Sequence, residues 1–262
     1  MLLGLQDAEP AFADSLLSAE TTFIGTSAGS TVAAQLAGGT ALSALFERQI
    51  AEETAEIDPK VDMQKLLAIF GGAMTDVSSP EEARRRIGAV ALAARTVPPE
   101  ARLAAVDARL PVKAWGAHPL LIPAVDTATG DLRVFDRASG VSLVDAVAAS
   151  CAVPGVWPPV EIDGTLYMDG GTRTAANADL AAGAERVLIL VPGPEESPMG
   201  AALPAAELAA LEPARVHALF ADDASLEAIG VNPLDPSTRP ASARAGRELG
   251  RRVASQVAAF WG

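Results

Sequence analysis

Three observations predict an α/β fold. A short apolar run, Phe23-Ile24, leads into the turn Gly25-Thr26-Ser27-Ala28-Gly29, and an Ala-rich helical stretch follows at once. Residues 41–107 carry helical periodicity punctuated by prolines, and beyond them the period changes to alternation. Residues 187–191 form a continuous apolar run of the kind that makes a buried parallel strand. A strand, several helices, several strands and a further buried strand, in that order, describe a sheet covered by helices.

The elements follow in chain order. Residues 2–9 and 11–19 read as helix, 22–25 as a strand and 28–38 as the helix after the turn. Residues 41–56, 61–73, 80–94 and 99–107 are helical, with Pro59, Pro80 and Pro98-Pro99 between or at the head of them. Residues 112–117, 120–126 and 132–135 alternate like strands, with a turn at Ala128-Thr129-Gly130-Asp131. Ser142 is placed to cap a helix over 143–150. Asp163-Gly164 between two alternating runs marks a hairpin, which puts Asp169 at the end of its second strand, before Gly170-Gly171. Pro192-Gly193-Pro194 ends the strand over 187–191, and 216–220 is a further strand. Residues 237–260 form a long terminal helix on which Arg244, Arg247, Arg251 and Arg252 make a solvated or salt-bridged stripe. The run from Glu81 to Arg86 has the same character.

The turn carries chemistry. Gly-x-Ser-x-Gly between a strand and a helix is a nucleophile elbow. A sharp bend pushes the serine hydroxyl out of the backbone, and glycines let strand and helix approach. The helix then starts beside the serine, so its free N–H groups and positive dipole end face a developing anion. Ser27 is therefore the candidate nucleophile and the Ala28 N–H a candidate oxyanion donor. A carboxylate at Asp169 has the chemistry to take the hydroxyl proton. The same five residues also arise without function in Ala- and Gly-rich chains, and an Asp before two glycines is also an ordinary turn residue.

Composition excludes several classes. The chain has 262 residues, 50% of them hydrophobic, and a formal net charge of −13, which disfavours nucleic acid and polybasic docking on anionic lipid. Only 4% are aromatic, so Ala, Leu, Val and Ile must build the core. A lone cysteine, Cys151, excludes an internal disulfide, fits a reducing compartment and reads as buried structure. No apolar run reaches the length of a membrane span, and no basic segment with an apolar stretch opens the chain as a signal peptide. A cytoplasmic protein is expected, compatible with peripheral membrane contact, with no cofactor and no metal.

Three segments together resemble the patatin-like phospholipase family. They are Gly25-Thr26-Ser27-Ala28-Gly29-Ser30, the stretch from Ala149 through Pro154-Gly155 to Val160, and Tyr167-Met168-Asp169-Gly170-Gly171. The resemblance covers roughly residues 1–192. It implies a three-layer α/β/α sandwich with a mostly parallel central sheet and a helical insert. It also implies a Ser–Asp dyad that hydrolyses lipid acyl esters through an acyl-enzyme, without histidine. On it, Ser27 matches the nucleophile and Asp169 the proton acceptor, and Gly25, Ala28, Gly29, Gly170 and Gly171 support the motif and the oxyanion. The substrate class is a lipid or other acyl ester. The expected organisation is one domain over 1–262, with a core over 1–192 and a strand-and-helix extension over 193–262. The insert either caps the acyl-binding groove or is an ordinary helical bundle on the sheet.

The family opens with a strand and a Gly-rich loop that builds much of the oxyanion hole, whereas this chain opens Met1-Leu2-Leu3-Gly4. Either translation starts further upstream or the loop has been lost. The second case predicts a catalytically impaired lipid-binding or regulatory homologue. A third reading is a Ser–acid–His triad. Only His118 and His217 exist; His118 precedes Asp169, and His217 sits mid-strand in Val216-His217-Ala218, so a structural or surface role is expected for both.

Overall fold

The computed structural model describes residues 1–197 and 200–262; Pro198 and Met199 lie outside the described residues. The chain opens with α1 (Leu2–Ala8), α2 (Pro10–Leu16), β1 (Phe23–Ile24), α3 (Ala28–Ala37) and α4 (Leu42–Ile50). Then come α5 (Met63–Ala73), α6 (Pro80–Ala93), α7 (Pro99–Arg109), β2 (Leu120–Asp126), β3 (Leu132–Phe135) and α8 (Leu143–Ser150). Next are β4 (Val160–Ile162), β5 (Thr165–Asp169), β6 (Arg186–Val191), β7 (Glu196–Ser197) and β8 (Gly200–Ala201). The last are α9 (Ala205–Ala210), β9 (Arg215–Phe220), α10 (Asp223–Ile229) and α11 (Arg239–Trp261). The chain forms two compact units.

The unit made of Thr22–Gly39 and Ala55–Asn177 holds a five-stranded sheet. Its helix starts follow local chemistry. Ser79 caps α6 by accepting from the Glu82 N–H, with Pro80 at the first position and two glutamates in the first turn. Ser142 caps α8 through the Asp145 N–H. The pleat of β2 sorts its side chains to two faces. Leu120, Ile122 and Ala124 enter a core with Ala33, Ala34 and Ala37 of α3, Val106 of α7, and Ala146, Val147 and Ala149 of α8. Val125 points the other way, into a core with Met168 of β5, Ala73 of α5 and Ile87 of α6. The sheet thus has helices on both faces, an α/β/α arrangement.

One detail differs from expectation. In this sheet only β1 and β2 run parallel, whereas β3 and β5 each run antiparallel to β2, and β4 antiparallel to β5. For two of these pairings the reason is local. β2–β3 and β4–β5 are hairpins closed by short turns, and strands joined that tightly must be antiparallel. The expected strand over 112–117 is also absent. That segment crosses the end of α3, where Gly116 packs against the Ala37 backbone and the Trp115 indole N–H donates to Val141 O at 2.8 Å.

The topology aims two chain segments at each other. Phe23 and Gly25 donate their N–H groups to the carbonyls of Pro119 and Leu121, at 2.9 and 3.1 Å. The N–H of Thr127 donates to Leu166 O at 2.9 Å. Alternate residues of a strand present their polar groups to the same edge, so β1 and β5 lie on one edge of β2. β1 runs with β2 and reaches Leu121, while β5 runs against it and ends opposite Ala124. Their carboxyl ends therefore converge.

The unit made of Met1–Thr21, Thr40–Thr54 and Ala178–Gly262 contains the parallel pair β6–β9. Leu5 of α1, Leu219 of β9, and Ala254 and Val257 of α11 form its core, with Leu188 and Leu190 packed against them. The arginine stripe of α11 is salt-bridged, since Arg247 and Arg251 both bind Asp7, at 2.7 and 2.8 Å. Among the described residues no helix is long and apolar enough to cross a membrane.

Candidate active site

Ser27 stands at the bend between β1 and α3 with φ 52° and ψ −126°. A side chain in this region is strained, typically by ~1–3 kcal/mol, and persists only where its surroundings hold it. Here they do. The Ser27 N–H donates to Ser150 Oγ at 3.0 Å. The Ser27 carbonyl accepts from the Ser30 N–H at 2.8 Å, from Ser30 Oγ at 2.6 Å and from Cys151 Sγ at 3.0 Å. Gly25 beneath it is buried, and a Cβ there would stand 2.6 Å from Ser30 Cα and closer still to the Gly29 carbonyl. Only glycine fits that approach.

The Ser27 side chain does not cap its own helix. It reaches the end of β5, where Ser27 Oγ donates to Asp169 Oδ2 at 2.6 Å. The other carboxylate oxygen, Oδ1, accepts from the Gly171 N–H at 2.7 Å. The Asp169 backbone is tied on both sides. Its N–H donates to Ala152 O at 3.0 Å and its carbonyl accepts from Thr172 Oγ1 at 2.7 Å. Gly170 packs on Pro123 of β2, where an added Cβ would lie 2.9 Å from the Pro123 carbonyl carbon.

Asp169 is only 4% exposed. Burial is the largest influence on its carboxyl and pushes it from 3.8 up to about 6. The Ser27 hydroxyl, the Gly171 N–H and the Arg102 charge pull the other way, in that order. At neutral pH this is an ionised carboxylate of raised basicity in hydrogen-bond contact with a half-buried hydroxyl, an arrangement able to deprotonate a nucleophile.

The other residues singled out in the sequence have distinct places. The N–H groups of Gly25, Gly29 and Gly171 are already engaged, on Leu121 O, Thr26 O and Asp169 Oδ1 respectively. Ala28 is exposed at the first position of α3, where its N–H has no acceptor within its own helix. His118 packs edge-on against Phe23 at 5.3 Å, and His217 lies mid-strand in β9 beside the Phe260 ring at 5.2 Å.

Several supporting residues carry no sequence signal of their own. Asn177 is fully buried and its Nδ2 donates to Thr26 Oγ1, Gly170 O and Thr174 O, at 3.1, 3.1 and 2.9 Å. It ties the elbow loop to the loop after Asp169. Ser150 and Cys151 tie the Ser27 backbone to the end of α8. Ser150 and Cys151 fall within the stretch from Ala149 to Val160 that carries part of the family resemblance, although that resemblance assigns them no role.

The family model for patatin-like phospholipase matches residues 21–182, more than half of the chain, and the chain belongs to that family. No curated protein sequence matches it. The match spans the elbow, the Asp169 loop and every strand of the five-stranded sheet.

Proposed function

We propose that this chain is a serine acyl hydrolase of lipid acyl esters working through a Ser27–Asp169 dyad. The observation that carries the reading is the 2.6 Å hydrogen bond from Ser27 Oγ to a carboxylate that burial has made more basic. Asp169 Oδ2 takes the Ser27 proton as Oγ attacks the ester carbonyl carbon. The tetrahedral oxyanion faces the Ala28 N–H and the amino end of α3. Its collapse breaks the ester C–O bond, and the leaving alcohol takes the proton from Asp169. The acyl-enzyme is then hydrolysed by a water that gives its proton to Asp169, and Ser27 Oγ leaves with that proton. Membership of a phospholipase family supports the acyl-ester substrate.

The test uses a nitrophenyl butyrate and a fluorophosphonate. The reagent should label Ser27, and Ser27→Ala and Asp169→Asn should each abolish turnover, while His217→Ala retains it. Loss of turnover in the histidine variant with the fold intact would favour the triad instead.

A second reading, a catalytically impaired lipid-binding homologue, is favoured by one observation. With the N–H groups of Gly25, Ser27 and Gly29 engaged, few donors besides that of Ala28 remain at the elbow. One oxyanion donor is typically worth ~100–1000-fold in rate. A Gly-rich strand and loop added ahead of residue 1 should therefore raise turnover at least ~100-fold. Equal rates with and without it, at equal folded concentration, would show that the oxyanion hole is complete in residues 1–262.

A further inference from the structure

Asn177 is fully buried, and its backbone has φ 51°, the left-handed region that asparagine enters more readily than most residues. The neighbours of its amide fix which way it points. Arg173 Nη1 can only donate, and it lies 2.8 Å from Asn177 Oδ1. Nδ2 then faces the carbonyl oxygens of Gly170 and Thr174, which can only accept, and Thr26 Oγ1. Its two protons serve three acceptors, so every one of them is committed.

Two of those acceptors belong to the residues next to the dyad. Thr26 precedes Ser27, and Gly170 follows Asp169. Nδ2 stands 3.1 Å from Thr26 Oγ1 and 3.1 Å from Gly170 O. The Thr26 hydroxyl is held from its other side as well, since it donates to Ala176 O at 3.1 Å. These two loops leave β1 and β5, which both pair with β2 and, among the described residues, not with each other. No strand ladder therefore sets the gap between the loops. A cross-link has to, because the 2.6 Å bond from Ser27 Oγ to Asp169 Oδ2 tolerates little displacement.

We propose that Asn177 is a positioning residue: one amide nitrogen, bonded to the residue before Ser27 and the residue after Asp169, fixes the separation at which the hydroxyl meets the carboxylate. The proposal rests on the Ser27–Asp169 reading. Asn177 acts through Thr26 and Gly170 and not on the substrate. Asparagine suits the place for two reasons. It accepts the left-handed backbone, and it donates where an aspartate of the same shape would set an oxygen against two carbonyl oxygens.

The test compares three variants of the full chain, each checked for folding by its thermal melt. Asn177→Gly removes the cross-link and suits the left-handed backbone. Thr26→Val keeps the shape of threonine without the hydroxyl, and Thr26→Ser keeps the hydroxyl. With nitrophenyl butyrate, kcat should fall about 10–100-fold in Asn177→Gly at unchanged KM, the size of loss that a small misplacement of reacting groups produces. Thr26→Val should fall in the same way but less far, and Thr26→Ser should keep the wild-type kcat. Both losses come from one tie, so the Asn177→Gly, Thr26→Val double variant should fall no further than Asn177→Gly alone. A carbon-13 NMR titration of the Asp169 carboxyl, assigned by loss of its signal in Asp169→Asn, gives an answer without turnover. The Ser27 hydroxyl holds that carboxyl down, while the Gly171 N–H, Arg102 and the neutral Cys151 thiol also face it and are unchanged in these variants. A loosened Ser27 bond should therefore move the titration up in Asn177→Gly and Thr26→Val and leave it in place in Thr26→Ser. Wild-type kcat and titration in a folded Asn177→Gly protein would overturn the proposal, as would additive losses in the double variant. Where Asn177→Gly does not fold, the Thr26 pair decides: a valine variant altered beside an unaltered serine one supports the tie, and two alike overturn it. Turnover retained in Asp169→Asn would sink the dyad reading instead, leaving the titration to judge Asn177 by itself.

Discussion

On the proposed dyad Asp169 is a base, and its burial makes it a better one at a cost in stability. A carboxyl lifted to about 6 should impose an acid limb on ester hydrolysis, with the rate falling about tenfold per pH unit below that value. The same shift enters the folding equilibrium. The folded protein holds this proton more tightly than the unfolded chain does. Its contribution to stability is therefore full below pH 3.8 and is lost as pH rises through about 6. A shift of this size amounts to about 3 kcal/mol at most once both states are ionised. Asp169→Asn should then be inactive yet more stable than the wild-type protein at mildly alkaline pH, by about 1–3 kcal/mol. The difference should close in acid. Urea unfolding at both pH values measures it, and an asparagine variant less stable than wild type in alkali would contradict the assignment of burial as the dominant influence.

The elbow shows what a motif can and cannot announce. Its two glycines look equivalent in the sequence, and the expectation is that both relieve a steric clash. The structure separates them. Gly25 has the Gly29 carbonyl and Ser30 Cα inside any Cβ it might carry, whereas Gly29 has nothing within 4 Å of that position. Gly25→Ala should distort the Ser27 bend and abolish fluorophosphonate labelling. Gly29→Ala should keep labelling and, lying inside α3, stabilise by about 0.5–1 kcal/mol. Thermal melts and labelling of the pair test this, and a Gly29→Ala protein that no longer labels would mean its Cβ blocks substrate. Elements with a strong local signature are legible in the same way. Ser142, the Asp163-Gly164 turn and the Ala-rich run after Ser27 each mark a boundary that the structure keeps. The short helices α9 and α10 span only 6 and 7 residues, too few for an apolar period to declare itself. Residues 112–117 alternate like a strand but find no neighbour to pair with. Asn177 is a single polar residue whose importance comes from what the fold brings to it, so no spacing reveals it.

At the scale of the whole molecule, the family match over 21–182 nearly coincides with the span of the unit that holds Ser27 and Asp169, while Ala178–Gly262 falls mostly beyond it. The order of elements follows from the sequence, but the direction of strands does not. The mostly parallel sheet that the family resemblance implies gives way where two hairpins enter the sheet. Net charge is the other whole-chain property the sequence gives directly, and it bears on how a lipid hydrolase meets its substrate. At −13 and an isoelectric point near 4.6, the protein is repelled by anionic surfaces. Turnover on zwitterionic vesicles should therefore exceed that on vesicles rich in anionic lipid at low ionic strength. The gap should narrow with salt, because the Debye length shrinks to about 10 Å near 0.1 M and long-range repulsion is screened. Fatty-acid release from matched vesicles at low and high salt measures both effects. Faster turnover on the anionic vesicles at low salt would mean that a locally basic face, and not the net charge, governs approach to the lipid.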